Sequence, residues 1–499
     1  MLFNSYEFVF LFLPLVLGVF LLLGRWRSTA LPTLWLVVAS LAFYAYWRSA
    51  YLALLIGSIA GNYLAGLAIH RVRRHRLRSR ALLTGAITAN LGLLAYFKYT
   101  DFLIGTVNAL TGTGFPVQSI VLPLAISFFT FNQIAFLVDV HKGYVHDYGF
   151  LDYALFIVFF PHLIAGPIVH HRDIIPQFRR FNFSLASPLL SLGLMVFSIG
   201  LFKKVILADH LAPYASAVFD SAARAEALTL AEAWLGALAY TLQLYFDFSG
   251  YSDMAVGGAL LFGIRFPWNF DAPYQATSII DFWRRWHISL SLFLRDYLYI
   301  PLGGNRAGTL RQSLNIFLTM LLGGLWHGPN WTFVLWGALH GLYVIINHRW
   351  RDWRSRRHWL PARPGAGEKA FGWSITFIAV VAAWVLFRAG DLSATLMLYK
   401  SMLGLGTPSG WTLQAGRLFP HLPTGLQDAT VFVWIAILCG ICWWAPSLRR
   451  QTDPLLAQAL AAPSGKLRIG RSWAIGTALL AWLAVMFLAR PTEFLYYQF

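Results

Sequence analysis

The run GGLWHGPNW, residues 323–331, lies inside a stretch of 37 residues, 312–348, that contains no Asp, Glu, Lys or Arg. Such a stretch is typical of a chain that crosses a bilayer, where about 20 apolar residues form one helical span. His327 places an ionisable imidazole within it, and such groups at membrane depth generally face a polar cavity. The Gly328-Pro329 step interrupts a helix at the same point, because proline lacks a backbone donor and restricts the residue before it. The run therefore predicts a membrane helix broken beside a functional histidine.

The whole chain has the composition of a multi-pass membrane protein. Of its 499 residues, 58% are hydrophobic and 16% aromatic. The mean hydropathy of +0.58 excludes a soluble globular domain. We predict an all-α protein with roughly eleven transmembrane helices, together with re-entrant and interfacial helices. It is expected to form a single integral domain over residues 1–499, with a core at roughly 119–348 and a Pro/Gly/Ala linker at 361–367. The stretches of spanning length are 8–24, 31–47, 50–69, 81–97, 119–140, 188–208, 314–348, 371–388, 430–446 and 473–489.

The net charge of +18 comes largely from basic residues in short connections between spans. That distribution orients membrane proteins in the bilayer, so nucleic acid is not an expected partner. The clearest connection, 71–80, holds six arginines, and no acidic residue occurs between Glu7 and Asp101. We place it in the cytoplasm together with 349–369 and 449–471, with the N-terminus outside. These charges either only orient the protein among its lipids or also bind an anionic ligand.

The segment YFDFSGYSD, residues 245–253, brings two carboxylates and two serines into an aromatic setting. Ser249 or Ser252 could cap a helix that begins at Met254, with Asp253 in its first turn. Asp247 is less suited to that helix end and is the better candidate for a buried polar network.

The segment DFWRRWHIS, residues 281–289, reads as an interfacial helix with one charged side. Asp281 and Arg285 are four residues apart and can pair, as can Trp283 and His287 by position. Arg284 and Arg285 could also reach lipid phosphates rather than a substrate.

Three weaker signals have plainer interpretations. The run FFPHLIAGPI, residues 159–168, contains two prolines and a glycine and is expected to re-enter the membrane. Cys439 and Cys442 form a lone C-x-x-C without a second ligand pair, so we expect buried thiols and no metal site. His162 and His340 are expected to be core histidines whose polar atoms are satisfied.

Two kinds of chemistry fit these residues. In acyl transfer, a histidine takes a proton from an attacking hydroxyl, and arginines attract an anionic donor. In transport, the same groups line a path for a proton, an acyl donor or a polymer, and no bond is made or broken.

Four blocks resemble, in their order along the chain, the membrane-bound O-acyltransferase superfamily. The likeness is greatest to its bacterial branch that serves O-acetylation of alginate and other exopolysaccharides. The opening block 4–8 and the closing block 494–499 extend it to both ends of the chain. The four blocks are QLYFDFSGYSD at 243–253, FWRRWHISLS at 282–291, LYIPLGGNR at 298–306 and LWHG at 325–328.

The resemblance implies a fold around a central funnel-like cavity that meets the cytoplasm. It implies no bound cofactor, with an acyl-CoA, here acetyl-CoA, as donor. The catalytic histidine of the family falls on His327 and its second histidine on His287, for which a purely structural role is the alternative. The supporting or substrate-binding candidates are Asp247, Ser249, Asp253, Trp283, Arg284, Arg285, Trp326 and Asn330.

The branch further implies a multi-pass protein of the bacterial inner membrane. It would move acetyl groups toward an extracytoplasmic acetyltransferase partner and an exopolysaccharide acceptor such as alginate. Teichoic acid, lipid or protein are the alternative acceptors, and transport without bond chemistry is the alternative function.

Overall fold

The structure is a computed structural model that describes residues 1–26, 28–145, 148–181, 183, 187–357, 365–406, 430–461, 470–488 and 494–495. Its regular elements in these residues are all helical, as predicted. The linker at 361–367 and the closing block 494–499 lie largely outside the described residues. The helices are α1 Leu13–Leu23, α2 Ala30–Ala45, α3 Leu52–Arg71, α4 Arg76–Thr111, α5 Ile126–Lys142, α6 Phe150–Val158, α7 Phe160–Leu163, α8 His171–Phe178, α9 Pro188–Phe202, α10 Ala212–Ala223, α11 Leu230–Leu261, α12 Ile279–Trp283, α13 Ile288–Leu294, α14 Gly308–His327, α15 Trp331–Ser355, α16 Ala366–Arg388, α17 Leu392–Met402, α18 Thr430–Trp444, α19 Leu448–Ala461 and α20 Arg471–Phe487.

Several of these helices are apolar enough to cross a bilayer. By length and composition, four described helices qualify, and a fifth span results if the bent pair α18–α19 is one broken span. Three further apolar helices are shorter, at Glu7–Leu23, Ala30–Ala45 and Arg471–Phe487. The chain is thus an all-helical, multi-pass membrane protein, and the number of roughly eleven spans stays a prediction. The four are Ser49–Arg71, Arg76–Thr111, Pro188–Ala208 and Ala366–Arg388.

The chain forms two compact units whose segments alternate along the sequence. In the first unit, α2 packs on α6, both α3 and α4 pack on α5, and α9 packs on α20. Its interior contains an amide cluster in which Asn62 Nδ2 donates to Asn90 Oδ1 at 3.1 Å and to Gln133 Oε1 at 2.9 Å. The first unit comprises 1–202, 250–268 and 452–497, and the second comprises 203–249, 269–451 and 498–499.

The second unit is organised around a hairpin of α14 and α15, on which α16 packs. The helix ends at His327 because Gly328 is extended, with φ −164° and ψ 155°. Asn330 then starts α15, since its side chain accepts a hydrogen bond from the Thr332 amide. The prediction of a broken helix at His327 is confirmed. The interpretation of 314–348 as one candidate span is wrong, because the chain reverses at residues 328–330.

Gly324 on α14 and Gly337 on α15 allow the two helices of this hairpin to touch backbone to backbone. A Cβ on Gly324 would lie 2.3 Å from the Phe333 carbonyl oxygen and 2.8 Å from Gly337 Cα. A Cβ on the neighbouring Gly323 would meet only the end of the Leu294 side chain, at 3.2 Å. The helix contact therefore depends on Gly324 and is insensitive to Gly323.

The substitution Gly324→Ala is expected to lower the free energy of unfolding by about 1–3 kcal/mol, because packed backbones must separate. Gly323→Ala is the matched control and should be neutral or stabilising by up to about 1 kcal/mol, since alanine favours helix over glycine. Thermal unfolding of the purified proteins in mild detergent measures both changes. Equal midpoints for the two variants would contradict the close contact.

Two further expectations about local structure are wrong. No helix begins at Met254, because α11 runs without a break from Leu230 to Leu261. Ser249 and Ser252 therefore do not cap a helix. The predicted interfacial helix over 281–289 is divided by His287, whose φ is +42°. The chain breaks there because Arg285 and Ile288 form backbone hydrogen bonds outside the helix. The Arg285 carbonyl accepts from the Asp271 amide, and the Ile288 amide donates to the Asn269 carbonyl.

The segment 159–168 is interrupted as predicted. Helix α6 ends before Phe159, whose ψ of 111° is not helical, and the short α7 follows at Phe160–Leu163. The Phe160 amide is satisfied by the Ser40 hydroxyl at 3.1 Å. This side-chain contact explains how irregular backbone is tolerated at a buried position. Whether the segment re-enters the membrane stays a prediction.

Candidate active site

His327 is the last residue of α14, and aromatic rings hold its imidazole. Its ring centroid lies 5.1 Å from that of Trp336, at 88°, and 5.1 Å from that of Phe387, at 73°. The side chain is 5% exposed. Edge-to-face contacts of this kind restrict the ring orientation. The carboxyl end of a helix carries a partial negative charge, which stabilises the positive charge that the imidazole acquires on taking a proton.

A second histidine, His340, contacts Trp336 from one turn farther along α15. His340 is fully buried, and its ring centroid lies 4.8 Å from that of Trp336. Trp283, on α12, donates its Nε1 hydrogen to His340 Nδ1 at 3.3 Å. The Nε2 atom of His340 has no hydrogen-bond partner within the described residues. The expectation of a satisfied core histidine therefore holds for one ring nitrogen and fails for the other.

His287 lies in its own buried polar cluster. Its Nδ1 is 3.3 Å from Asn269 Oδ1, and the same oxygen accepts from the Ser289 hydroxyl at 2.6 Å. The preceding residue, Trp286, packs against Trp384 at 4.9 Å. His287 thus lies at the break between α12 and α13, where its contact with Asn269 fixes the side chain. Its direct participation in catalysis stays a prediction.

Tryptophans connect the surroundings of the three histidines. Trp384 packs against Trp286 and stacks on Trp336, whose ring centroid is 5.7 Å away. His327 and His340 both contact Trp336, as described above. The candidate residues from α12, α14 and α15 thus share one aromatic wall with α16, which contributes Trp384 and Phe387.

Asp247 belongs to a buried ion cluster that the sequence analysis missed. Lys204 Nζ lies 2.7 Å from Asp247 Oδ1 and 2.7 Å from Asp209 Oδ1, with side chains that are 3%, 2% and 12% exposed. Lys204 sits in the π-helical turn Lys203–Ala208, a geometry often found at functional sites. The prediction that Asp247 enters a buried polar network is confirmed. The signal that could have revealed the ion cluster is a pair of lysines, Lys203 and Lys204, near the end of the otherwise apolar stretch 188–208.

The remaining candidates are spread over different surroundings. Arg285 pairs with Asp281 at 2.9 Å, as predicted, whereas Arg284 is exposed. Asn330 is engaged at both ends of its amide, because its Nδ2 also donates to the Gly390 carbonyl at 2.7 Å. These contacts give Arg285 and Asn330 structural roles.

Three candidates remain to be placed. Trp326 is 5% exposed, and its ring lies 5.0 Å from that of the adjacent His327. Ser249 is fully buried, and its hydroxyl has no partner within the described residues. Asp253 is buried too, but it belongs to the first compact unit, whereas the other candidates belong to the second.

The arrangement can move a proton within an apolar enclosure. His327 offers an imidazole, which can accept a proton at one ring nitrogen and later release it. Aromatic walls exclude solvent and suit an apolar acyl group, while few polar atoms are available to orient it. The described residues contain no group of three or more His, Cys, Asp or Glu side chains arranged to hold a metal ion.

Comparison with known proteins gives consistent matches along the chain. A model of the MBOAT, membrane-bound O-acyltransferase family, matches residues 25–386. The chain is 45% identical to the peptidoglycan O-acetyltransferase of Helicobacter pylori, over 81% of this chain and 80% of that protein. It is 43% identical to the probable alginate O-acetylase AlgI of Pseudomonas putida, over 87% and 85% of the two chains. It is 28% identical to the teichoic acid D-alanyltransferase of Streptococcus thermophilus, over 54% and 69%.

Proposed function

Because the chain belongs to the membrane-bound O-acyltransferase family, we propose that it moves acetyl groups from cytoplasmic acetyl-CoA toward hydroxyls of an exported polysaccharide. The family makes it an O-acyltransferase, and relatives above 40% identity are named for O-acetyl transfer to peptidoglycan and to alginate. Beyond what the family shows, the proposal specifies acetyl-CoA as the donor and a polysaccharide as the acceptor. It also specifies an extracytoplasmic partner transferase and a location in the bacterial inner membrane.

One observation carries the proposal: His327 lies at the tip of the α14–α15 hairpin, far from the basic end of α15. Arginines cluster at that end, from Arg349 to Arg357, in the connection predicted to be cytoplasmic. From Trp331 to Arg349 the helix rises by about 27 Å at about 1.5 Å per residue. This rise nearly equals the hydrocarbon thickness of a bilayer, about 30 Å. A hairpin of this length can carry the reacting histidine to the side of the membrane where an exported acceptor arrives.

The proposed step uses His327 as general base and then as general acid. The acceptor oxygen bonds to the carbonyl carbon of the thioester, and its proton goes to the His327 imidazole. The carbon–sulfur bond then breaks, and the departing sulfur takes the proton back from the imidazolium. The products are an acetyl ester and a free thiol, and His327 returns to its starting state.

The arginines at the basic end of α15 support the proposal that the donor comes from the cytoplasm. Arg349 is fixed there, because it donates to the Thr309 carbonyl and to the Ser313 hydroxyl. Its neighbours Arg351, Arg354, Arg356 and Arg357 give this end a positive field, which attracts a phosphate-bearing thioester. A funnel-like cavity that opens at this end would admit the donor.

The test uses the full chain in lipid vesicles, with acetyl-labelled acetyl-CoA at the basic face and a saccharide acceptor at the other face. The acceptors are oligomers of alginate and of peptidoglycan sugars, offered separately with and without the partner transferase. The expected result is release of free thiol together with ester-linked label on one saccharide. A palmitoyl-CoA donor is the matched control and should give no transfer.

Two results would contradict the proposal. Appearance of intact labelled thioester across the vesicle would mean transport. Transfer of a D-alanyl group and not of an acetyl group, as the name of the more distant relative would suggest, would replace the proposed acetyl donor.

A further inference from the structure

His340 is a buried histidine whose protonation pattern is set by one neighbour. The indole Nε1 of Trp283 can only donate a hydrogen bond. It lies 3.3 Å from His340 Nδ1, so this nitrogen must accept. In a neutral imidazole the single proton then sits on Nε2. His340 therefore presents an N–H group at its other nitrogen.

That N–H group has no acceptor within the described residues. Aromatic rings surround the imidazole: Trp336 at 4.8 Å, Trp283 at 5.2 Å, Tyr343 at 5.7 Å, Trp384 at 6.2 Å and Phe282 at 6.3 Å. Burying a donor without an acceptor is unfavourable, and buried polar groups in proteins are nearly always bonded. The indole Nε1 atoms of Trp336 and Trp384 also have no hydrogen-bond partner within the described residues. An apolar enclosure with a few directed donors is the pattern of a ligand site that orients a carbonyl.

His340 also lies between the basic end of α15 and His327. Arg349 is nine positions farther along α15, which is about 14 Å along the helix. One turn farther toward the tip, Trp336 contacts both His340 and His327. A donor that enters from the basic end therefore meets His340 before its acyl carbon reaches His327.

We propose that His340 Nε2–H donates a hydrogen bond to the carbonyl oxygen of the donor's thioester. This inference rests on the proposed function and deepens it, because it assigns the group that polarises the acyl carbon. Negative charge collects on that oxygen when the acceptor hydroxyl attacks, and a directed donor in a dry site stabilises it. The proton of His340 stays on Nε2 throughout. The transferred proton passes from the acceptor to His327 and then to the departing sulfur.

Two substitutions separate this role from a structural one. In His340→Asn, the side-chain oxygen can still accept from Trp283, but no donor reaches the former Nε2 position. In His340→Gln, the amide nitrogen reaches that position, but the contact with Trp283 is lost. If His340 acts on the thioester, His340→Asn should lower the kcat of thiol release by about 10²- to 10³-fold, with a nearly unchanged KM for the donor. His340→Gln should stay within about tenfold of the unsubstituted protein.

A vibrational measurement does not depend on folding of the His340 variants. In full-length His327→Ala protein, acetyl-CoA labelled with carbon-13 at the carbonyl should remain bound without reacting. Its carbonyl stretching band should lie at lower frequency than for the same thioester in an apolar solvent, because it accepts a hydrogen bond.

The two failures are distinguishable. If His340→Asn keeps its activity while His340→Gln loses it, or the bound carbonyl band is not shifted, the role of His340 is overturned and the acyltransferase proposal stands. If the His327→Ala protein binds no acetyl-CoA, the proposed donor is overturned, and the assignment of His340 falls with it.

Discussion

Replacement of His327 by alanine is expected to lower acetyl transfer by about 10³- to 10⁴-fold, the upper part of the range for loss of a general base. Without the imidazole, no side chain takes the hydroxyl proton as the carbon–oxygen bond forms. The proton must then go to solvent, which the contacts of His327 with Trp336 and Phe387 help to exclude. The measurement is thiol release and saccharide labelling by purified protein in vesicles.

The control for this substitution is a test that the variant protein still folds. His327 is held by ring contacts at the end of α14, so alanine leaves a small cavity beside Trp336 and Phe387 and a modest loss of stability is expected. A His327→Gln variant fills most of that space and still lacks a base. Both variants should be inactive while their membrane abundance stays close to that of the unsubstituted chain. Full transfer by either variant would remove His327 from the mechanism.

Replacement of Lys204 by methionine is expected to lower the free energy of unfolding by about 3–5 kcal/mol, because it leaves buried carboxylates without their cation. Lys204 Nζ lies 2.7 Å from both Asp209 and Asp247, and its side chain is 3% exposed. Methionine has a similar length, so packing changes little while the charge is lost. Thermal unfolding in mild detergent measures the effect.

A double substitution tests the electrostatic cause. The double variant Lys204→Met with Asp247→Asn should be more stable than Lys204→Met alone, because one uncompensated charge is removed. If the two substitutions instead add as independent losses, the buried ion cluster is not what stabilises this region.

The sequence predicted the features that rest on local chemistry. The absence of charge around His327 and the Gly328-Pro329 step located the broken helix, and the four-residue spacing located the Asp281–Arg285 pair, which is 2.9 Å long. Membership in the acyltransferase family was predictable because several motifs occur in one order.

Features that depend on distant segments were not predictable. His287 adopts φ +42° because Asn269 and Asp271, outside its own helix, take the backbone hydrogen bonds of Arg285 and Ile288 on either side of it. Ser249 and Ser252 look like helix-capping residues, but packing keeps α11 continuous: a Cβ on Gly200 would lie 2.6 Å from the Gly250 carbonyl oxygen. The unbonded Nε2 of His340 could be recognised only once Trp283 was placed beside its Nδ1.

The three-residue turn at 328–330 also has a consequence for how the enzyme is made. Contacts between α14 and α15 join residues that are close in sequence, so the entropy lost in closing the loop is small. Hairpins of this kind form faster than contacts between remote segments. During biosynthesis, His327 is expected to meet Trp336 as soon as the hairpin has entered the bilayer. Phe387, from α16, completes the aromatic contacts only later, so His327 is placed beside Trp336 before the ring of Phe387 covers it.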